Sequence, residues 1–207
     1  GSHFNIVRRE KGVLELELSH QGKAAHISEP WLGKNSAEIL IQSINDILEK
    51  FDKGNKDNWE TNVSVVNFET NSKANNVVPD FAKAVLNFRY VGKNTKREIL
   101  KFIKNNKKIK SRVLKEGEYF ETDPTNNQIK LFAESIKRKT RKTPALIDYN
   151  SACDARHFDF KKIPIILTRP VGGNSHADNE WVSEKSLKDL SNIILDYLEK
   201  RENSNIN

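Results

Sequence analysis

Val13-Leu-Glu-Leu-Glu-Leu-Ser19 alternates without a break: Leu14, Leu16 and Leu18 point one way, Glu15 and Glu17 the other. A period of two with apolar and charged faces predicts a half-buried strand with one wet side. The stretch that follows decides which sheet holds it. From Asn35, apolar residues at Ile39, Leu40, Ile44, Ile47, Leu48 and Phe51 recur with a helical period, with Asn35 or Ser36 as cap and Gly54 beyond the end. A second strand is expected from about Asn62 to Glu69, carrying Val63, Val65 and Phe68. A third, Ala82 to Tyr90, places Ala84, Leu86 and Phe88 on one face. Thr95 caps a second helix with Ile99, Leu100 and Ile103, and Ser111 to Tyr119 reads as a fourth strand. The order β-α-β-β-α-β over residues 11–120 predicts an α+β, ferredoxin-like domain with two helices on one face of an antiparallel sheet.

The pattern changes at the turn-rich junction Glu121-Thr-Asp-Pro-Thr125. Ile129, Phe132, Ala133 and Ile136 mark a helix, and Ala145 to Tyr149 a short strand. Next come the polar loop Ser151-Ala-Cys-Asp-Ala-Arg-His157 and the apolar run Ile163-Pro-Ile-Ile-Leu-Thr168, expected as a buried strand. A Gly-Gly turn at 172–173 then presents His176, and Ser183 caps a last helix through Leu187, Leu190, Ile194 and Leu198. Helices alternating with short buried strands imply parallel sheet. Two strands are too few for a stable one, so residues 121–200 read as an incomplete α/β segment whose other strands lie upstream. Residues 201–207 are a polar tail expected to fray.

Composition narrows the class. Hydrophobic residues are 36% of the 207, enough for a folded core, yet no apolar run nears the ~20 residues that span a bilayer. No charged-then-apolar leader is visible, and one cysteine cannot form an internal disulfide, which suits the reducing cytoplasm. Gly1-Ser2-His3 looks like the scar of a cleaved affinity tag, and the chain has no methionine; both suggest a piece of a longer protein, cut upstream of Phe4. The net charge of +7 raises the question of a nucleic-acid face at Lys104 to Lys110 or Lys137 to Lys142. Those runs lack interleaved aromatics for base stacking. Phe88 and Tyr90 on the third strand lack the surrounding ribonucleoprotein signature. A solvated lysine-rich surface is the favoured reading, with no nucleic acid and no membrane as partner.

Four motifs in order carry a family resemblance. Gly22-Lys-Ala-Ala-His26-Ile-Ser-Glu-Pro30 resembles the Gly-x-x-x-His-x-x-x-Pro loop of the zinc-dependent deacylases and exopeptidases, the family of succinyl-diaminopimelate desuccinylase, acetylornithine deacetylase and aminoacylase. Asn75-Asn-Val-Val-Pro79 with Leu86-Asn-Phe-Arg89-Tyr90, then Ser151-Ala-Cys-Asp-Ala-Arg156, then Gly173-Asn-Ser-His176-Ala-Asp-Asn-Glu180 are similar to its later motifs. The resemblance implies that residues 11–120 are a lid, or dimerisation, domain inserted in an α/β catalytic domain. It implies a homodimer acting on an N-acyl amino acid or small peptide, with two zinc ions, cobalt or manganese being possible substitutes. His176 would be a metal ligand. His26 would reach across the dimer to stabilise an oxyanion, Asn76 and Arg89 would hold substrate, and Asp154 and Arg156 would shape the floor of the site.

The family's remaining ligands, a His in a His-x-Asp motif, a bridging Asp and acidic residues including a Glu-Glu pair, lie before the lid together with its general-base glutamate, and none is present in this sequence. The chain alone is therefore expected to be inactive. Of the other candidates, His20 is expected to be exposed beside the first strand and His157 to pack under the Asp154 loop. Cys153 is expected as a small buried residue rather than a nucleophile. Two further readings stay open: a non-catalytic dimerisation or regulatory module of the same fold, and more weakly a ferredoxin-like nucleic-acid binder.

Overall fold

The structure, a computed structural model, describes residues 4–150, 153–154, 157–158 and 164–204. Its elements in chain order are β1 (Ile6–Glu10), β2 (Gly12–Gln21), a 3-10 turn (Pro30–Leu32), α1 (Ser36–Phe51), β3 (Asn62–Thr70), β4 (Phe81–Tyr90) and α2 (Thr95–Asn105). These are followed by β5 (Lys110–Gly117), β6 (Phe120–Glu121), α3 (Asn127–Thr140), β7 (Leu146–Tyr149), β8 (Gly172–Gly173), β9 (Trp181–Val182) and α4 (Glu184–Ser204). They form two units, Lys11–Tyr119 and Gly1–Glu10 with Phe120–Asn207.

In the first unit four antiparallel strands lie in the order β3-β4-β2-β5. With α1 and α2 as the crossovers this is the ferredoxin-like arrangement. The alternation of β2 sets it: Leu14, Leu16 and Leu18 are fully buried, in register with Phe88, Leu86 and Ala84 of β4. Leu40, Ile44, Ile47 and Phe51 of α1 and Ile99 and Ile103 of α2 belong to the same core. Phe51 meets Phe88 edge-on at 6.4 Å. Each buried leucine contributes about 1.5–3 kcal/mol by leaving water, more than any single cap. The α1 cap is Asn35, whose side chain accepts from the backbone of Ala37 and Glu38. Thr95 is not a cap: it is the first residue of α2, and its hydroxyl donates back to the Val91 carbonyl. His20 is not exposed either. The period of two in β2 runs on through it, which puts its ring on the leucine face at 6% exposure, with Nδ1 on the Lys108 carbonyl.

The second unit is built on a strand that the sequence pattern does not show. β1 lies between β6, antiparallel, and β7, parallel, so the sheet is mixed. Phe4 and Ile6 pack with Ile129, Phe132 and Ile136 of α3 and Ile193 of α4. Ile6-Val-Arg-Arg-Glu10 shows no alternation, yet both arginines are paired with one carboxylate from β7. Asp148 accepts from Arg8 at 3.0 and 2.8 Å and from Arg9 at 2.9 Å. Hydrogen bonds from Arg9, opposed by burial and reinforced by Arg8, hold the Asp148 carboxyl down at about 2, against an ordinary 3.8.

A depressed carboxylate stabilises the fold above its unfolded value and loses that stabilisation as pH falls through its folded value. Asp148→Asn is therefore expected to cost about 2 kcal/mol at pH 7. The gap from the parent chain should shrink between pH 3.8 and 2, as read by urea unfolding. A gap that stays constant across that interval would rule out the ion pairs as its source.

Three local expectations differ from what is observed. Of the apolar run at 163–168, Ile163 lies outside the described residues, and residues 164–168 form no assigned strand. They run beside β1, held by Val7 N–H to Leu167 O at 2.9 Å and the Thr168 hydroxyl to Asn5 O at 2.9 Å; Pro164 has no N–H to give a ladder. Gly172–Gly173 is not a turn but the strand β8, paired with β9. The last helix does start after Ser183, whose hydroxyl accepts from Ser186 N–H at 3.3 Å, but it continues to Ser204 rather than fraying from residue 201.

Candidate functional site

One end of the Lys11–Tyr119 sheet carries two loops that interlock. Past β2, Gly22 N–H donates to Asp80 O at 2.7 Å, and Lys23 and Lys34 exchange bonds of 3.0 and 2.8 Å. A Cβ on Gly22 would stand 2.1 Å from the Lys34 carbonyl oxygen, so only glycine lets the loop close here. Ile27 N–H then donates to Asn76 O and Val78 N–H to Ala25 O, both at 2.9 Å, pairing His26 with Val77 across the two loops. His26 and Asn76, 50 positions apart in sequence, thus stand on adjacent backbone segments, both exposed. Around them Ile27, Trp31, Leu32 and Val77 are large apolar residues in water, Trp31 at 74% exposure.

The His26 ring is oriented from within its own loop. Nδ1 lies 2.7 Å from Ser28 Oγ and accepts from Ser28 N–H at 3.2 Å. A backbone N–H only donates, so Nδ1 holds a lone pair and the proton sits on Nε2. The exposed edge of the ring is therefore a hydrogen-bond donor.

Arg89 does not join this pair. Phe81 starts β4 beside the loop, whereas Arg89 lies eight residues along the strand, a rise of about 27 Å. It is half-buried between Val13 and Asn62, and in the alternation of β4 it faces away from the Leu86–Phe88 side.

In the other unit His176 sits on the hairpin loop between β8 and β9. Asn174 and His176 adopt left-handed backbones at φ 57° and 67°. The loop is closed by Ala177 N–H to Asn174 O and Glu180 N–H to Ala177 O, both at 3.0 Å. The Glu180 carboxylate accepts from the His176 backbone at 3.4 Å, and the His176 side chain is exposed. Asp154 is exposed on a single turn, and Arg156 lies outside the described residues. His157 is exposed rather than packed beneath that turn. Cys153 is half-buried, its N–H donating to Glu10 Oε2 at 3.2 Å. Glu10 is a buried carboxylate that its charged strand gives no reason to single out.

No group of three or more His, Cys, Asp or Glu that could hold a metal is gathered among the described residues. His176 is one imidazole donor, and one donor does not make a site for zinc, cobalt or manganese. The described residues do not fit a two-metal centre by themselves. Also among them, no helix is long and apolar enough to cross a membrane.

Comparison with known proteins gives these observations a setting. Residues 8–110 match the peptidase dimerisation domain. The chain is 35% identical to succinyl-diaminopimelate desuccinylase of Pelagibacter ubique over 210 residues, covering 96% of this chain and 53% of the relative. It is 27% identical to the desuccinylase of Ruthia magnifica, covering 93% and 53%. It spans about half the length of these curated relatives. Among solved structures, aminopeptidase PepT of Bacillus cereus superposes with a TM-score of 0.79 at 18% identity, over 96% of this chain and 54% of that one. A tripeptidase of Staphylococcus aureus superposes with the same score over 95% and 53%. At such identity these two speak for the fold alone. The chain thus carries a peptidase dimerisation domain and is a homologue of the succinyl-diaminopimelate desuccinylases along 96% of its own length.

Proposed function

We propose that the chain is the lid and C-terminal part of a homodimeric, metal-dependent amidohydrolase that removes the acyl group from an N-acyl amino acid, with a succinyl amide as first candidate and a small peptide amide as second. The observation that carries this reading is the His26 tip: an exposed imidazole with Nε2–H free to donate, beside Asn76, at the end of the sheet away from Lys11 and Tyr119, where the chain enters and leaves the unit. A donor so placed suits a carbonyl oxygen supplied from elsewhere, as in a site completed by the lid of a second copy. A carbonyl oxygen gains negative charge as the amide is attacked, so a fixed N–H binds it more strongly in the transition state than in the ground state.

Arg89, at the other end of β4, suits a substrate carboxylate, which its planar fork pairs in two hydrogen bonds. Its distance from His26 fits two lids serving one site, one through Arg89 and the other through His26 and Asn76. His176 is the candidate metal ligand in this chain, and Asp154 and Arg156 are candidate floor residues. The other donors would come from residues that this chain does not supply. A cytoplasmic location belongs to the same proposal. The second reading, a dimerisation module without catalysis, draws on the absence of a metal cluster among the described residues.

Reading the coding sequence upstream of Phe4 and assaying the two proteins side by side separates these readings. The longer protein, with zinc, is expected to hydrolyse N-succinyl-diaminopimelate, while residues 1–207 with zinc stay at background. Robust turnover by residues 1–207 alone would overturn the account of the missing ligands. A longer protein that lacks the His-x-Asp and Glu-Glu motifs and cleaves no amide would leave the non-catalytic module.

A further inference from the structure

We propose that Ser28 positions His26, holding its ring in the tautomer with the proton on Nε2. This deepens the reading of His26 as a donor and rests on it. Two donors from one residue converge on Nδ1: the Ser28 backbone N–H at 3.2 Å and the Ser28 hydroxyl at 2.7 Å. Because the N–H requires a lone pair on Nδ1, the hydroxyl facing that lone pair also donates. A ring with its proton on Nδ1 would set N–H against N–H.

The loop keeps Ser28 at this station from both sides. Glu29 N–H donates to His26 O at 2.9 Å, closing a tight turn over Ser28, and Ile27 N–H is tied to Asn76 O at 2.9 Å. Pro30 then begins the 3-10 turn, with Leu32 N–H donating to Glu29 O at 3.1 Å. A serine two positions after the histidine thus acts on it through a backbone that has little freedom to move. An imidazole held in one tautomer and one orientation offers Nε2–H without first reorganising, which is the condition for useful electrostatic stabilisation.

The same chain contains the opposite case. His20 Nδ1 faces the Lys108 carbonyl oxygen, which only accepts, so His20 carries its proton on Nδ1. The two rings are internal references for each other.

Long-range proton–nitrogen spectra of the imidazoles in the nitrogen-15-labelled chain, recorded where histidine is neutral, test this directly. His26→Gln and His20→Gln identify the signals. His26 is expected to show the Nε2–H pattern and His20 the Nδ1–H pattern, with exposed His157 and His176 averaged between the two. Ser28→Ala, which keeps the backbone N–H but removes the closer hydroxyl, should move His26 part of the way toward the averaged pattern, and Ser28→Thr, which keeps a hydroxyl, should restore it. An averaged or Nδ1–H pattern for His26 in the parent chain, or no response to Ser28→Ala, overturns the inference.

In the assembled enzyme Ser28→Ala is expected to lower kcat about threefold to tenfold at unchanged KM, the worth of one hydrogen bond, with rescue by threonine. If His26→Ala abolishes turnover while Ser28→Ala does not lower it, the positioning role fails and the proposed function stands. If His26→Ala leaves turnover intact, the proposed function itself fails, and the role of Ser28 with it.

Discussion

His26→Ala in the assembled enzyme is expected to lower kcat by about 10²–10³-fold while KM changes little. The split follows from when the bond matters. A neutral amide oxygen gains modestly from a donor, whereas an oxygen carrying a developing negative charge gains several kcal/mol in a site closed to water. The fold should not register the change, because His26 is exposed and, among the described residues, its ring hydrogen-bonds within its own loop, to Ser28. Steady-state kinetics together with a thermal melt decide it. Equal kcat with a raised KM would make His26 a binding residue and not a transition-state donor.

A lysine at Val66 or Phe68 of β3 is expected to weaken self-association about 100-fold or more. The sheet has two free edges, β3 and β5, and they differ in character. The β5 edge exposes Val113 and Leu114 but sets them among Lys110, Arg112, Lys115 and Glu116, the sort of charge that keeps strand edges apart. The β3 edge has a single charge, Glu69, and exposes Val65, Val66 and Phe68, with Val66 the extra residue at a register shift against β4. A dimerisation domain that pairs through an edge should use the apolar one. In a two-fold dimer each substitution acts twice, and facing like charges cost several kcal/mol, of which about 2.7 already gives 100-fold. Sedimentation equilibrium on Val66→Lys, Phe68→Lys and the β5 control Val113→Lys measures this. Dissociation by Val113→Lys alone would move the interface to the other edge.

The legible parts share one property: the information was local. Leu14, Leu16 and Leu18 announce a strand because side chains on an extended backbone alternate, and Leu40, Ile44 and Ile47 announce a helix because its turn is 3.6 residues. His26, Asn76 and His176 stand out as candidates for the same reason, each belonging to a short motif. The misread parts needed distant neighbours. β1 was invisible because two of its three charged residues, Arg8 and Arg9, are answered by Asp148, 140 and 139 positions away. His20 was placed outside because polarity outweighed its parity in the strand, whereas the Lys108 carbonyl gives its Nδ1 a partner inside. The run at 164–168 was apolar enough for a strand, but it meets β1 through the Val7–Leu167 backbone bond and forms no assigned strand.

By itself, then, the amino-acid sequence determined the βαββαβ order and the core faces of its strands and helices, and it offered a short set of candidate site residues. Periodicity and motif spacing survive in one dimension, and those features need nothing more. Only the tertiary structure decided which candidates meet. It pairs the loops of His26 and Asn76 through two backbone hydrogen bonds, sends Arg89 to the far end of the same sheet, and turns the donor edge of His26 outward with Ser28. The reason is that hydrogen-bond register and strand length set distances in space, and separation along the chain does not encode either.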